Sequence, residues 1–170
     1  RSYKDILTFN LDEYVGLPRD HRESYWTFMH QNLFNYIDIP DENVHVPLGN
    51  GDIEENCRAY EEELKKHQVA IQVLGIGSDG HIAFNEPSDA VTGESFKIAL
   101  TQRTIDANSI YFDDIPMPRY AMTMGIGSIM KAKKIVLIAT GASKAEAVKG
   151  MIEGPVTPQL PASILQQHED

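Results

Sequence analysis

The residues best placed by type and spacing to do chemistry fall in one short stretch, Gly75–Pro87, which reads GIGSDGHIAFNEP. Asp79 and His81 flank Gly80, and Glu86 follows five residues after the histidine. An imidazole beside carboxylates can be held in one tautomer and can shuttle protons near neutral pH. Gly75, Gly77 and Gly80 let the backbone turn sharply and approach a ligand closely. An isolated Asp-Gly-His more often ties down a turn. The glycines, the apolar run before them and Glu86 favour function over that reading. A second segment, Asn10–Tyr14, places Asp12 behind an apolar run. A carboxylate there can take a proton from a carbon next to a carbonyl when it is desolvated and well aimed. On its own, Asp12 reads equally well as a helix cap or a turn aspartate.

Other chemistries fit less well. Gly75-x-Gly77-x-x-Gly80 matches the dinucleotide fingerprint, but that motif needs a helix opening behind it to receive a pyrophosphate. His-Ile-Ala-Phe-Asn-Glu-Pro follows instead, and Pro87 resists helix. The cofactor reading is weak. The histidines His21, His30, His45, His67, His81 and His168 show neither HExxH nor Cys/His ligand spacing, so no metal site is expected. The lone cysteine, Cys57, lies near Glu54, Glu55 and Glu61. An acidic neighbourhood of that kind does not favour a thiolate, and Cys57 reads as a buried structural thiol.

The elements that must position these groups alternate. Asp5–Asn10, Val69–Leu74, Tyr120–Met124 and Lys134–Thr140 read as strands, the middle two and the last as buried ones. Ser24–Tyr36, Asp52–His67, Ser128–Ala132 and Ser143–Ile152 read as helices, with one more short helix over Pro161–His168. Such alternation implies an α/β fold with a mostly parallel sheet covered on both faces. Ligands bind such sheets beyond the carboxyl ends of the strands, where Asp12, the Gly75–His81 turn and Lys144 fall. At 170 residues, 42% hydrophobic and 24% charged, residues 1–170 are expected to form one domain. No apolar run approaches the roughly 20 residues of a membrane span. No signal-peptide pattern is visible, so a cytoplasmic setting is expected. A net charge of −10 argues against nucleic acid or an anionic membrane as partner.

Taken together, FNLDEYVGLP (Phe9–Pro18), LGIGSDGHIAFNEP (Leu74–Pro87), MTMGIGSIM (Met122–Met130), GASKAEAV (Gly141–Val148) and PASILQQH (Pro161–His168) resemble the glucosamine-6-phosphate deaminase (glucosamine-6-phosphate isomerase) family. The related 6-phosphogluconolactonases share the Asp-Gly-His turn but continue Ser-Leu-Phe-Pro. The resemblance implies a Rossmann-like α/β fold. It also implies conversion of glucosamine 6-phosphate and water to fructose 6-phosphate and ammonium, with neither metal nor organic cofactor. By the same resemblance His81 would move a proton at the ring oxygen, with Asp79 and Glu86 orienting it. Asp12 would relay a proton between C2 and C1. The backbone of Gly75, Ile76 and Gly77 would lie against the sugar, and Lys144 would contact the phosphate. Without the resemblance Lys144 reads as an ordinary surface lysine. A 6-phosphogluconolactonase-like hydrolase and a non-catalytic sugar-phosphate-binding fragment stay open as alternatives.

The sequence also departs from the family. The family's earlier strand and Gly/Thr-rich phosphate loop do not precede Asp5, and the family continues past His168, so the chain is expected to be truncated, incomplete at both ends. Where the family carries an arginine in Asn-Ser-Arg, this chain has Asn108-Ser109-Ile110, and Ile110 cannot supply a charged fork. Between Asp89 and Leu100 only Lys97 is basic, so the allosteric activation of some members is not carried over. Members occur as monomers, trimers and hexamers, which leaves a homo-oligomer open. The one partner the resemblance implies is a small-molecule sugar phosphate.

Overall fold

In the computed structural model, which describes residues 1–170, the chain separates into two units. One holds Arg1–Tyr60 and Phe96–Thr123; the other holds Glu61–Ser95 and Met124–Asp170. The strands in chain order are β1 (Thr8–Phe9), β2 (Asp12–Tyr14), β3 (Val44–His45), β4 (Ile71–Leu74), β5 (Phe96–Ala99), β6 (Tyr120–Thr123) and β7 (Lys134–Leu137). The helices are α1 (Tyr25–Asn32), α2 (Ile53–Lys65), α3 (Gln102–Asn108), α4 (Ile126–Ile129) and α5 (Ala145–Glu153).

In the first unit β1 pairs with β3 in parallel, while β2, β6 and β5 form an antiparallel sheet in that order. The antiparallel sheet is absent from the sequence reading, because β2 and β5 are short and carry no sustained apolar alternation. Asp12 therefore does not hang in a loop behind β1. It opens β2, directly opposite Thr123 of β6. Helix α1 begins where expected: the Ser24 hydroxyl accepts the Thr27 N–H at 3.0 Å, satisfying a donor that the first turn leaves open. It ends at Asn32, and a tighter turn over Phe34–Tyr36 completes the expected span. That turn delivers Phe34 to an apolar cluster with Ile39, Val44 and Val46, against which Trp26, Met29 and Ile37 pack. Phe28, on the other side of α1, is exposed.

In the second unit β4 and β7 pair in parallel, from Ile71 opposite Lys134 to Leu74 opposite Leu137. Successive strand residues face opposite ways. Gln72 and Leu74 are accordingly buried while Ile71 and Val73 are exposed. The strand expected to be wholly buried covers one face only. Asp52 starts α2 as expected, its carboxylate accepting the Glu55 N–H at 3.1 Å. Cys57 on that helix is buried and in no disulfide. The last expected helix is a 3-10 segment over Pro161–Gln167, with proline at its start. No helix is long and apolar enough to cross a membrane.

Candidate active site

The turn behind β4 is closed by its own backbone. Gly77 N–H donates to the His81 carbonyl at 2.9 Å, and Gly80 N–H donates to the Gly77 carbonyl at 3.0 Å. Two glycines make this geometry accessible. Gly80 adopts φ +86°, in the left-handed region that side chains disfavour. At Gly77 a Cβ would stand 2.2 Å from Nδ1 and Cε1 of His81, so the imidazole rests where any other residue's side chain would begin.

His81 is held from one side. Its Nδ1 lies 2.7 Å from Oδ1 of Asp79 and 3.5 Å from Oε2 of Glu86. The same Asp79 oxygen accepts the His81 backbone N–H at 3.3 Å. Burial pushes the Asp79 carboxyl upward. The His81 N–H, the imidazole's charge and its ring hydrogen bond oppose this and together hold the carboxyl below its ordinary value. An ionised carboxylate can only accept, so Nδ1 carries the proton and Nε2 is left with its lone pair in the neutral ring.

Glu86 is placed by its neighbour. Asn85 is almost wholly buried, and its side-chain amide donates to the carbonyls of Ile82 at 3.0 Å and Met124 at 2.9 Å. Its Oδ1 accepts the Thr92 hydroxyl. This cross-bracing fixes the tight turn from Ile82 to Asn85, in which Ala83 takes φ +52°.

Ligand atoms of Asp79, His81 and Glu86 lie within 4.8 Å of one another, a set that could also be read as a cation site. The spacing favours a proton. Ligands around a tetrahedral Zn²⁺ at 2.0–2.2 Å stand about 3.3 Å apart, whereas Nδ1 and Oδ1 are 2.7 Å apart, a hydrogen-bond distance.

Of the other expected residues, Gly75 has open space around the position a Cβ would take, and Ile76 is buried. Lys144 ends a 3-10 turn over Ala142–Lys144 and immediately precedes α5, partly buried. Ile110 is 75% exposed in the turn Ser109–Tyr111. Asp12 belongs to the other unit from His81. There the Thr123 hydroxyl donates to its Oδ1. Behind it, Glu13 is buried and its carboxylate accepts three backbone N–H groups: Tyr14 at 2.9 Å, Tyr25 at 3.1 Å and Trp26 at 3.1 Å. Desolvation raises the Glu13 carboxyl despite these bonds. Thr123, Asn85 and Glu13 have no assigned role in the sequence reading. The alternation of a short strand would have placed Glu13 opposite Asp12 in facing, but nothing local signals that Thr123, far along the chain, is its cross-strand neighbour.

The profile of the family described as glucosamine-6-phosphate isomerases/6-phosphogluconolactonase matches residues 4–170. A glucosamine-6-phosphate deaminase from a Thermoanaerobacter species is 51% identical over 171 residues, covering 99% of this chain and 68% of that protein. The deaminase of Pediococcus pentosaceus is 48% identical, covering 99% of this chain and 71% of that protein. Among solved structures, a monomeric glucosamine-6-phosphate deaminase superposes with a TM-score of 0.94 at 41% identity, covering 99% of this chain and 71% of that one. The 6-phosphogluconolactonase of Thermotoga maritima superposes at 0.73 with 21% identity, over 95% of this chain and 68% of that one, which speaks to fold alone. An α/β chain with these sequence and structural relatives belongs to the glucosamine-6-phosphate isomerase/6-phosphogluconolactonase family.

Proposed function

We propose that the protein is a glucosamine-6-phosphate deaminase, converting glucosamine 6-phosphate and water to fructose 6-phosphate and ammonium in amino-sugar breakdown. The observation that carries the reading is the His81 imidazole, pinned through Nδ1 by Asp79 with Glu86 beside it. That arrangement suits a proton carrier. With its Nε2 lone pair His81 takes the C1 hydroxyl proton and passes it to the ring oxygen as the bond from C1 to that oxygen breaks. The open-chain aldehyde results.

Asp12 then takes the proton from C2, made acidic by the neighbouring carbonyl, and returns a proton to C1. The aldehyde with a C2 amine becomes an enolamine and then a C2 ketimine. Water adds at C2, the C–N bond breaks, and nitrogen leaves as ammonium. A single carboxylate suffices because the abstracted proton is redelivered to the adjacent carbon. Lys144 and the backbone of Gly75, Ile76 and Gly77 serve the phosphate and the sugar. A cytoplasmic setting fits a single buried cysteine that is in no disulfide.

Glu86 sets this reading apart from a lactonase. Lactone hydrolysis has little use for a second carboxylate against the histidine, and Glu86 Oε2 stands at 3.5 Å from Nδ1. The test is Glu86→Gln, assayed with glucosamine 6-phosphate and with 6-phosphogluconolactone. Loss of ammonia release without any lactonase activity in either protein supports the deaminase. Lactone turnover indifferent to the substitution contradicts it.

A further inference from the structure

We propose that Thr123 is a positioning residue for the proton-relaying carboxylate, its hydroxyl fixing the orientation of the Asp12 side chain. The inference rests on the deaminase reading above and adds to it a group that does not itself touch the sugar.

Three observations support it. First, Asp12 and Thr123 are direct partners in the antiparallel register of β2 and β6. Side chains directly opposite on such a pair share a face, with Cβ atoms about 4.5–5.5 Å apart. The contact therefore follows from the sheet and not from a chance rotamer. Second, Thr123 is fully buried, at 0% exposure, in the central strand of its sheet. A buried hydroxyl needs a partner, and this one donates to Oδ1 of Asp12. Third, threonine is branched at Cβ and stiff in χ1, so the sheet's geometry passes to the carboxylate with little loss. The other side of β2 is locked as well, by Glu13 and the N–H groups of Tyr14, Tyr25 and Trp26.

The chemistry explains why such a hold matters. A carboxylate that abstracts a carbon-bound proton must be ionised and must point one lone pair along the C–H bond. A donor on one oxygen favours the ionised form and fixes the plane in which the carboxylate meets the C–H bond. The titratable groups around Asp12 in its unit include Glu13 on the same strand and the phenols of Tyr14 and Tyr25. Burial is the chief cause that pushes both phenols above their ordinary value, with the Asp12 charge adding to it. The phenols therefore stay neutral across the acidic range in which Asp12 is read.

The experiment compares Thr123→Val and Thr123→Ser with the parent protein in kcat, KM and the pH profile of kcat. Thr123→Val is expected to lower kcat about ten- to hundredfold with KM changed less than about twofold, and to move the acidic limb to higher pH. Thr123→Ser keeps the donor and is expected to stay within about fivefold of the parent with its limb in place. If valine opposite a carboxylate prevents folding, Thr123→Ala reads the same limb without the buried methyl. Parental kcat and profile in the valine or alanine protein would overturn the proposal. So would equal damage in valine and serine proteins with an unmoved limb, which marks packing alone. Asp12→Asn separates the two layers: turnover that survives it refutes Asp12 as the base, whatever Thr123 does.

Discussion

Nδ1 of His81 stands 2.7 Å from Oδ1 of Asp79, and that same oxygen accepts the His81 backbone N–H at 3.3 Å. Two bonds from one residue to one carboxylate oxygen fix both the ring and the turn that carries it. Asp79→Asn keeps the size but can present N–H to Nδ1, favouring the wrong tautomer. We predict a fall in kcat of about a hundredfold or more with KM little changed. The same carboxylate has a lowered folded-state value. Its contribution to stability is complete above the unfolded carboxyl value of about 3.9 and is lost as pH falls through the lower folded value. The stability difference between parent and Asp79→Asn, followed by urea unfolding, should be constant from neutral pH to about 5 and shrink below about 4. A gap that widens on acidification would contradict the assigned pairing.

Gly77 and Gly75 should separate cleanly. A Cβ at Gly77 collides with the His81 ring at 2.2 Å, whereas at Gly75 nothing lies within 4 Å. Gly77→Ala must displace the imidazole, and an error of about 1 Å in a catalytic group costs about a hundredfold in rate. Gly75→Ala should fold as the parent does and raise KM, because the new methyl enters the space assigned to the sugar. Steady-state kinetics on both proteins checks this, and equal kcat in the two would remove the packing argument.

Glu13 should be a stability residue with an indirect catalytic effect. Glu13→Ala leaves the N–H groups of Tyr14, Tyr25 and Trp26 without their acceptor. We expect a loss of about 3 kcal/mol in unfolding free energy, measured by denaturant titration. Glu13→Gln should fall between, since its amide retains one acceptor oxygen. A change below about 0.5 kcal/mol in the alanine protein would show that water replaces the carboxylate at no cost.

Ile110 offers a gain-of-affinity test. It is 75% exposed, so an arginine is accommodated without repacking a core. If the family arginine's place is the place of a phosphate contact, Ile110→Arg should lower KM for glucosamine 6-phosphate several-fold with kcat held. An unchanged KM would detach this position from phosphate binding.

The clustering at the candidate site was legible in the sequence because Asp79, His81 and Glu86 are local. Asp79, Gly80, His81 and Glu86 are close along the chain, joined by two successive tight turns that bring three ligand atoms together, and Gly77 marks where the ring packs. Helix starts at Ser24 and Asp52 were legible for the same reason, since a cap and the N–H it accepts are three residues apart. The strands β2 and β5 were not. Three or four residues of DEY or FKIA carry too little periodicity to declare themselves, and they are stabilised by the central strand β6 from far along the chain. The partnership of Asp12 with Thr123 was hidden with them, as was the brace from Asn85 to the Met124 carbonyl. Long-range register is a property of the assembled sheet, and a single sequence does not display it.

The central claim, that this turn serves amino-sugar deamination, is tested most directly by ammonia release from glucosamine 6-phosphate, measured beside His81→Ala. The account predicts stoichiometric ammonium and fructose 6-phosphate from the parent, and loss of both by several orders of magnitude in the variant. Absence of ammonia release from a folded parent protein, or release that survives His81→Ala, would contradict it.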